Sequence, residues 1–182
     1  ATYKEYRKRG IMSKLLASVA AAYDHPVTLF PAVRAFYESN GYFTTSFVAS
    51  YQLEATEQRS GVMQLPLDLD RLDFIYNEAT QKQGSLIRDR EAWKFLTDGY
   101  ETLLIDGAYA LLSEGKAVEV MAVSKASASS MVELLRSHSI VEIQVLEDSP
   151  FPHLLDQNKM VLTPMGMSTE RTMQGVYIAE QY

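Results

Sequence analysis

The stretch Arg7-Lys8-Arg9-Gly10-Ile11-Met12 decides how the rest of the chain is read. Three cations and a glycine lead into a segment whose apolar residues recur at helical spacing. Ile11, Leu15, Leu16, Val19 and Tyr23 share one face of a 3.6-residue period. Ala17, Ala20, Ala21 and Ala22 add helix propensity. A helix N-terminus presents N–H groups without intrahelical partners and the positive end of the dipole, which together favour an anion. Gly10 lets the backbone approach a phosphate where a Cβ would obstruct it. Arg7 and Arg9 can add charge-assisted bonds to phosphate oxygens. Taken alone, the same residues also fit a solvated basic turn before an ordinary amphipathic helix.

The charge distribution bounds the partner. Residues 1–10 carry a local charge of +3 within a chain of 182 residues and net charge −6, so the remaining 172 sum to −9. An acidic body lacks the extended basic face that nucleic acid requires, and a compact basic patch suits a small anion. Hydrophobic residues make up 47% of the chain, which argues for a folded globular protein. With no cysteine there is no disulfide framework, thiolate nucleophile or Cys-ligated metal, and the usage fits a reducing compartment. No apolar run reaches the ~18 residues of a membrane span. The chain reads as cytosolic, with neither nucleic acid nor membrane as partner and with a homo-oligomer left open. His25, His138 and His153 are far apart and show no ligand spacing, so no metal is expected.

Outward from the helix, Asp24-His25-Pro26 stops it, because the residue before proline is driven out of the helical region. Residues 27–30 read as a short buried strand, 32–40 as a helix closed by Gly41, and 42–53 as strand or hairpin. The polar stretch 54–60 is the best lobe boundary. Beyond it come a strand at 62–67 interrupted by Pro66 and a helix at 69–83, with Asp68 at its N-cap and Gly84 after it. Another helix follows at 90–97. Strands at 100–105, 109–113 and 118–123 are separated by the turn signals Asp106-Gly107 and Glu114-Gly115. A helix at 127–137, a strand at 141–146, a short helix at 151–155 and strands at 160–163 and 176–178 complete the pattern. The fold class is α/β (α+β), with mixed sheets flanked by helices.

A second motif, Phe36-Tyr37-Glu38-Ser39-Asn40-Gly41-Tyr42, follows the first after about twenty-five residues. Together they resemble the GNAT superfamily of N-acetyltransferases, which carry Arg/Gln-x-x-Gly-x-Gly/Ala before a central helix and aromatic-Tyr-x-x-x-Gly-aromatic after the next. Arg7, Gly10 and Met12 occupy the first pattern, Met12 departing from its usual small residue. Phe36, Tyr37, Gly41 and Tyr42 occupy the second. Ile75-Tyr76, then Gly84-Ser85-Leu86-Ile87-Arg88 and Trp93, look like the enhanced-intracellular-survival (Eis-like) branch, in which a degenerate second lobe follows the first. Ser124 to Ser130 stand where that lobe's phosphate loop would fall, without Arg-x-x-Gly.

The resemblance implies a division into 1–53, the C-terminal half of a first GNAT lobe, a linker at 54–60, and a degenerate second lobe at 61–182. A complete first lobe has strands and helices before its phosphate loop, so the chain is expected to be incomplete and weak or inactive alone. The implied reaction is acetyl transfer from acetyl-CoA to an amine of a small molecule or a lysine side chain. Arg9, Gly10, Ile11, Met12 and Ser13 are expected to hold the pyrophosphate through backbone N–H groups, and Arg7 to pair with it directly. Tyr37 is the expected general acid, Phe36 packs at the cofactor, and the terminal carboxylate of Tyr182 is the expected base. The rival is a GNAT-fold binding module that has lost acetyl transfer.

Overall fold

The computed structural model describes residues 3–80 and 85–171. Its helices are α1 (Ile11–Ala22), α2 (Arg34–Glu38), α3 (Leu69–Ala79), α4 (Arg90–Gly99) and α5 (Lys125–Ser137). Its strands are β1 (Thr28–Leu29), β2 (Phe43–Gln52), β3 (Glu101–Ile105), β4 (Ala108–Ser113), β5 (Lys116–Ala122), β6 (Glu142–Leu146) and β7 (Met160–Ser168). Among the described residues the strands form one mixed sheet in the order β1-β7-β2-β6-β5-β4-β3. The α/β class read from the sequence therefore holds.

The sheet's two faces carry two cores, because neighbouring strand residues point to opposite sides. Leu103, Ile105, Ala110, Val120, Ile143 and Val145 pack under Met131, Val132 and Leu135 of α5. Leu104, Tyr109, Leu111 and Met121 pack under Leu72, Ile75 and Tyr76 of α3 and Trp93 and Leu96 of α4. β5 and β6 are parallel, and their ladder consists of Lys116 with Glu142 and Ala117 with Ile143. β7, from the far end of the chain, lies between β1 and β2 and so joins residues 28–29 to the rest of the sheet.

The second core encloses an ion pair. Arg88 donates to both oxygens of Glu119 at 2.6 and 2.7 Å, and the Tyr109 hydroxyl donates to Glu119 Oε1 at 2.6 Å. The guanidinium lies 4.1 Å from the Tyr76 ring centroid and 4.9 Å from that of Trp93. A bulge where β5 faces Leu111 and Leu112 sets Val118 and Glu119 toward the same core. The Tyr76, Arg88 and Trp93 noted in the sequence thus form one cluster.

Several local expectations need correction. The strand expected at 27–30 is reduced to Thr28–Leu29, with Thr28 exposed and Leu29 half-buried, since among the described residues β1 is an edge strand paired with β7 alone. The strand expected at 62–67 is absent: Pro66 has no N–H to give a ladder, and the segment reaches β3 through the Leu65 N–H to Leu104 O bond of 2.7 Å. The apolar face of α1 is only partly covered, with Leu16 and Val19 half-buried and Ile11, Leu15 and Tyr23 exposed among the described residues. Residues 151–155 form a 3₁₀ turn at Pro152–Leu154. Gly84 and the strand expected at 176–178 lie outside the described residues.

Turn chemistry follows the sequence closely. Asp68 caps α3 by accepting from the Asp70 and Arg71 N–H groups at 3.0 and 3.3 Å. Glu114 and Gly115 both adopt positive φ, 51° and 76°, as a two-residue hairpin turn of this kind requires.

Candidate functional site

α1 begins without a side-chain cap. Gly10, at its N-cap, has φ 70°, and the first intrahelical bond runs from the Lys14 N–H to Gly10 O at 3.0 Å. The four N–H groups of Gly10 to Ser13 therefore lie in the turn that has no intrahelical acceptors. A Cβ built on Gly10 meets nothing within 4 Å, so the backbone is open to an approaching ligand. Lys8 also adopts a left-handed φ of 61°, a conformation that costs a side-chain-bearing residue roughly 1 kcal/mol.

Across from this terminus stands α2. Its end is tied down by the Ser39 Oγ and Asn40 Nδ2 bonds to Phe36 O, both 2.7 Å, and by the Arg34–Glu38 ion pair at 2.6 Å. Gly41 turns the chain at φ 84°, and the Tyr42 N–H returns to Tyr37 O at 3.1 Å. This fixes Tyr37 between Phe36 and Tyr42, with ring centroids 5.3 and 6.2 Å away in edge-on geometry. Tyr37 is half-buried, and its hydroxyl has no hydrogen-bond partner among the described residues.

One cavity of about 880 Å³ unites these parts. Arg7, Arg9, Gly10, Ile11, Met12, Ser13, Phe36 and Tyr37 all line it. Eight of the nine residues singled out in the sequence are brought together, and Tyr182 lies outside the described residues. Sequence reasoning missed Tyr6, Lys8, Ala32 and Val33, which line the same space. For Tyr6 a signal existed in its place beside the basic run. The donors, the cations and the glycine opening fit a phosphate-bearing ligand with an apolar arm.

The comparable position in the other half of the chain differs. At the start of α5, Ser124 and Ser127 form a reciprocal capping box, with Ser124 Oγ accepting from the Ser127 N–H at 3.1 Å and Ser127 Oγ from the Ser124 N–H at 3.2 Å. Two of its N–H groups, those of Ser124 and Ser127, are thereby taken up by side chains.

No family model and no curated protein matches the chain. Solved structures do. A conserved protein from Enterococcus faecalis described as a probable N-acyltransferase is 18% identical, with a TM-score of 0.64, over 96% of this chain and 53% of its own. A GCN5-related N-acetyltransferase from Kribbella flavida gives 18% identity and a TM-score of 0.64 over 92% and 50%. The fold is that of the GCN5-related N-acetyltransferases. Eis1 from Mycobacterium abscessus shares this N-acetyltransferase fold at 18% identity and a TM-score of 0.58, over 92% of this chain and 54% of its own. The chain spans about half the length of each of these proteins.

Proposed function

We propose that the protein is an acetyl-CoA-dependent N-acetyltransferase of the Eis-like branch, acting on an amine of a small molecule or a lysine side chain. The observation that carries this reading is the convergence of an uncapped helix N-terminus at Gly10 and an unbonded, accessible Tyr37 hydroxyl on one cavity.

In this reading the N–H groups of Gly10, Ile11, Met12 and Ser13 hold the pyrophosphate, aided by Arg7 and Arg9, while Phe36 packs along the apolar arm. Acetyl-CoA supplies an activated thioester. The amine nitrogen bonds to the acetyl carbon as the carbon–sulfur bond breaks. Tyr37 gives its phenolic proton to the departing sulfur. The proton lost by the amine passes to solvent. The Gly10 end, which has no side-chain cap, is favoured over the start of α5, where two N–H groups are taken up by the capping box. The two-lobe division at 54–60 belongs to the same proposal, with β7 returning from the second lobe to pair with β2 of the first.

An acetyl-transfer assay on the full-length protein with Tyr37→Phe tests the enzyme reading against a binding module that has lost transfer. The enzyme reading expects turnover in the parent and its collapse in the variant.

A further inference from the structure

Tyr6 is the aromatic residue of the cavity that the reaction leaves unassigned. Phe36 and Tyr37 pair with each other, whereas Tyr6 is paired with Arg9, whose guanidinium carbon lies 5.4 Å from the ring centroid. Tyr6 is 46% exposed and lines the same space as Gly10 and Ile11. It closes the 3₁₀ turn Lys4–Tyr6, and its N–H bonds Tyr3 O at 3.0 Å, so its backbone is held four residues ahead of Gly10. The guanidinium over one face of the ring makes a cationic stack to which a nucleobase can add.

We propose that Tyr6, with Arg9, is the stacking platform for the adenine base of the acyl donor, and that it selects a nucleotide thioester over a pantetheine thioester without adenosine. The inference rests on the acetyl-CoA reading above. With the pyrophosphate at the α1 terminus and the thioester at Tyr37, the nucleoside extends beyond the phosphates, and among the aromatic residues lining the cavity Tyr6 is the one outside the Phe36–Tyr37 pair. Arg9 then serves two ends of the ligand, its backbone toward phosphate and its side chain toward the base.

The test is the affinity of the full-length protein for CoA, by calorimetry, and for 4′-phosphopantetheine, by displacement of CoA, in wild type, Tyr6→Phe and Tyr6→Ala. Stacking on an aromatic ring predicts that Tyr6→Ala weakens CoA roughly ten-fold. Phosphopantetheine should stay within about two-fold, and Tyr6→Phe should bind both like wild type. Equal weakening of both ligands by Tyr6→Ala, or an unchanged affinity for CoA, overturns the platform while leaving the acetyl-CoA reading standing. A wild-type protein that binds no CoA overturns both.

Discussion

Arg88 and Glu119, 31 positions apart in sequence, meet in a bidentate ion pair whose side chains are 1% and 0% exposed. A buried pair of this kind costs desolvation on both sides and is held by geometry and by its extra hydrogen bond to Tyr109. Removing one partner strands the other. Glu119→Ala should therefore destabilise the protein by about 3–5 kcal/mol. Arg88→Met with Glu119→Leu should cost much less than the sum of the single changes, and denaturant unfolding of the three variants measures this. Strict additivity would contradict the coupling.

Alkaline stability should depend on buried phenols. Burial pushes the Tyr109 hydroxyl well above its usual range, with the Glu119 charge adding to the rise. Burial and then the neighbouring Tyr37 phenol raise that of Tyr42. Each phenol holds its proton longer when folded than when unfolded, so their contribution is complete below about pH 10 and is lost as pH rises beyond it. Denaturation midpoints between pH 8 and 11 should be flat and then fall, by up to ~1.4 kcal/mol per pH unit for each such tyrosine.

Tyr42→Phe isolates one of them. The Tyr42 hydroxyl is buried without a partner among the described residues. Deleting it should be neutral or stabilising at pH 7, because a buried hydroxyl with no hydrogen bond costs free energy. It should also flatten part of the alkaline fall. A loss above ~1 kcal/mol at pH 7 would show that the hydroxyl has a partner in solution.

Legibility followed locality. Gly41, Asp68 and the Glu114-Gly115 turn could be read because each acts within a few residues of itself, and the structure shows Gly41, Glu114 and Gly115 at positive φ and Asp68 at the N-cap of α3. The two motifs were legible because their residues lie close together along the chain. What could not be read depends on distant partners. Residues 27–30 were apolar enough for a buried strand, yet their neighbour is β7, some 140 positions away, and the pairing spans two residues. The return of β7 to β2 leaves no local trace, and neither does the meeting of Arg88 with Glu119. Tyr6 was missed because a lone aromatic beside a basic run has no period to mark it, and only the cavity shows what it faces.

The α5 capping box separates structure from binding. Ser124→Ala should cost about 1 kcal/mol of stability through the lost cap. CoA affinity should not change, because the proposed phosphate donors belong to α1. Reduced CoA binding in a folded Ser124→Ala protein would place a ligand contact at the second terminus.

The most direct test of the central claim is calorimetric titration of acetyl-CoA into the full-length protein beside its Gly10→Glu variant. A carboxylate at Gly10 would project into the open space beside the helix N-terminus and repel phosphate. Saturable binding in wild type, lost in a variant that remains folded, is the predicted result. Equal binding in both proteins would contradict the account, because the pyrophosphate would then rest somewhere other than the start of α1.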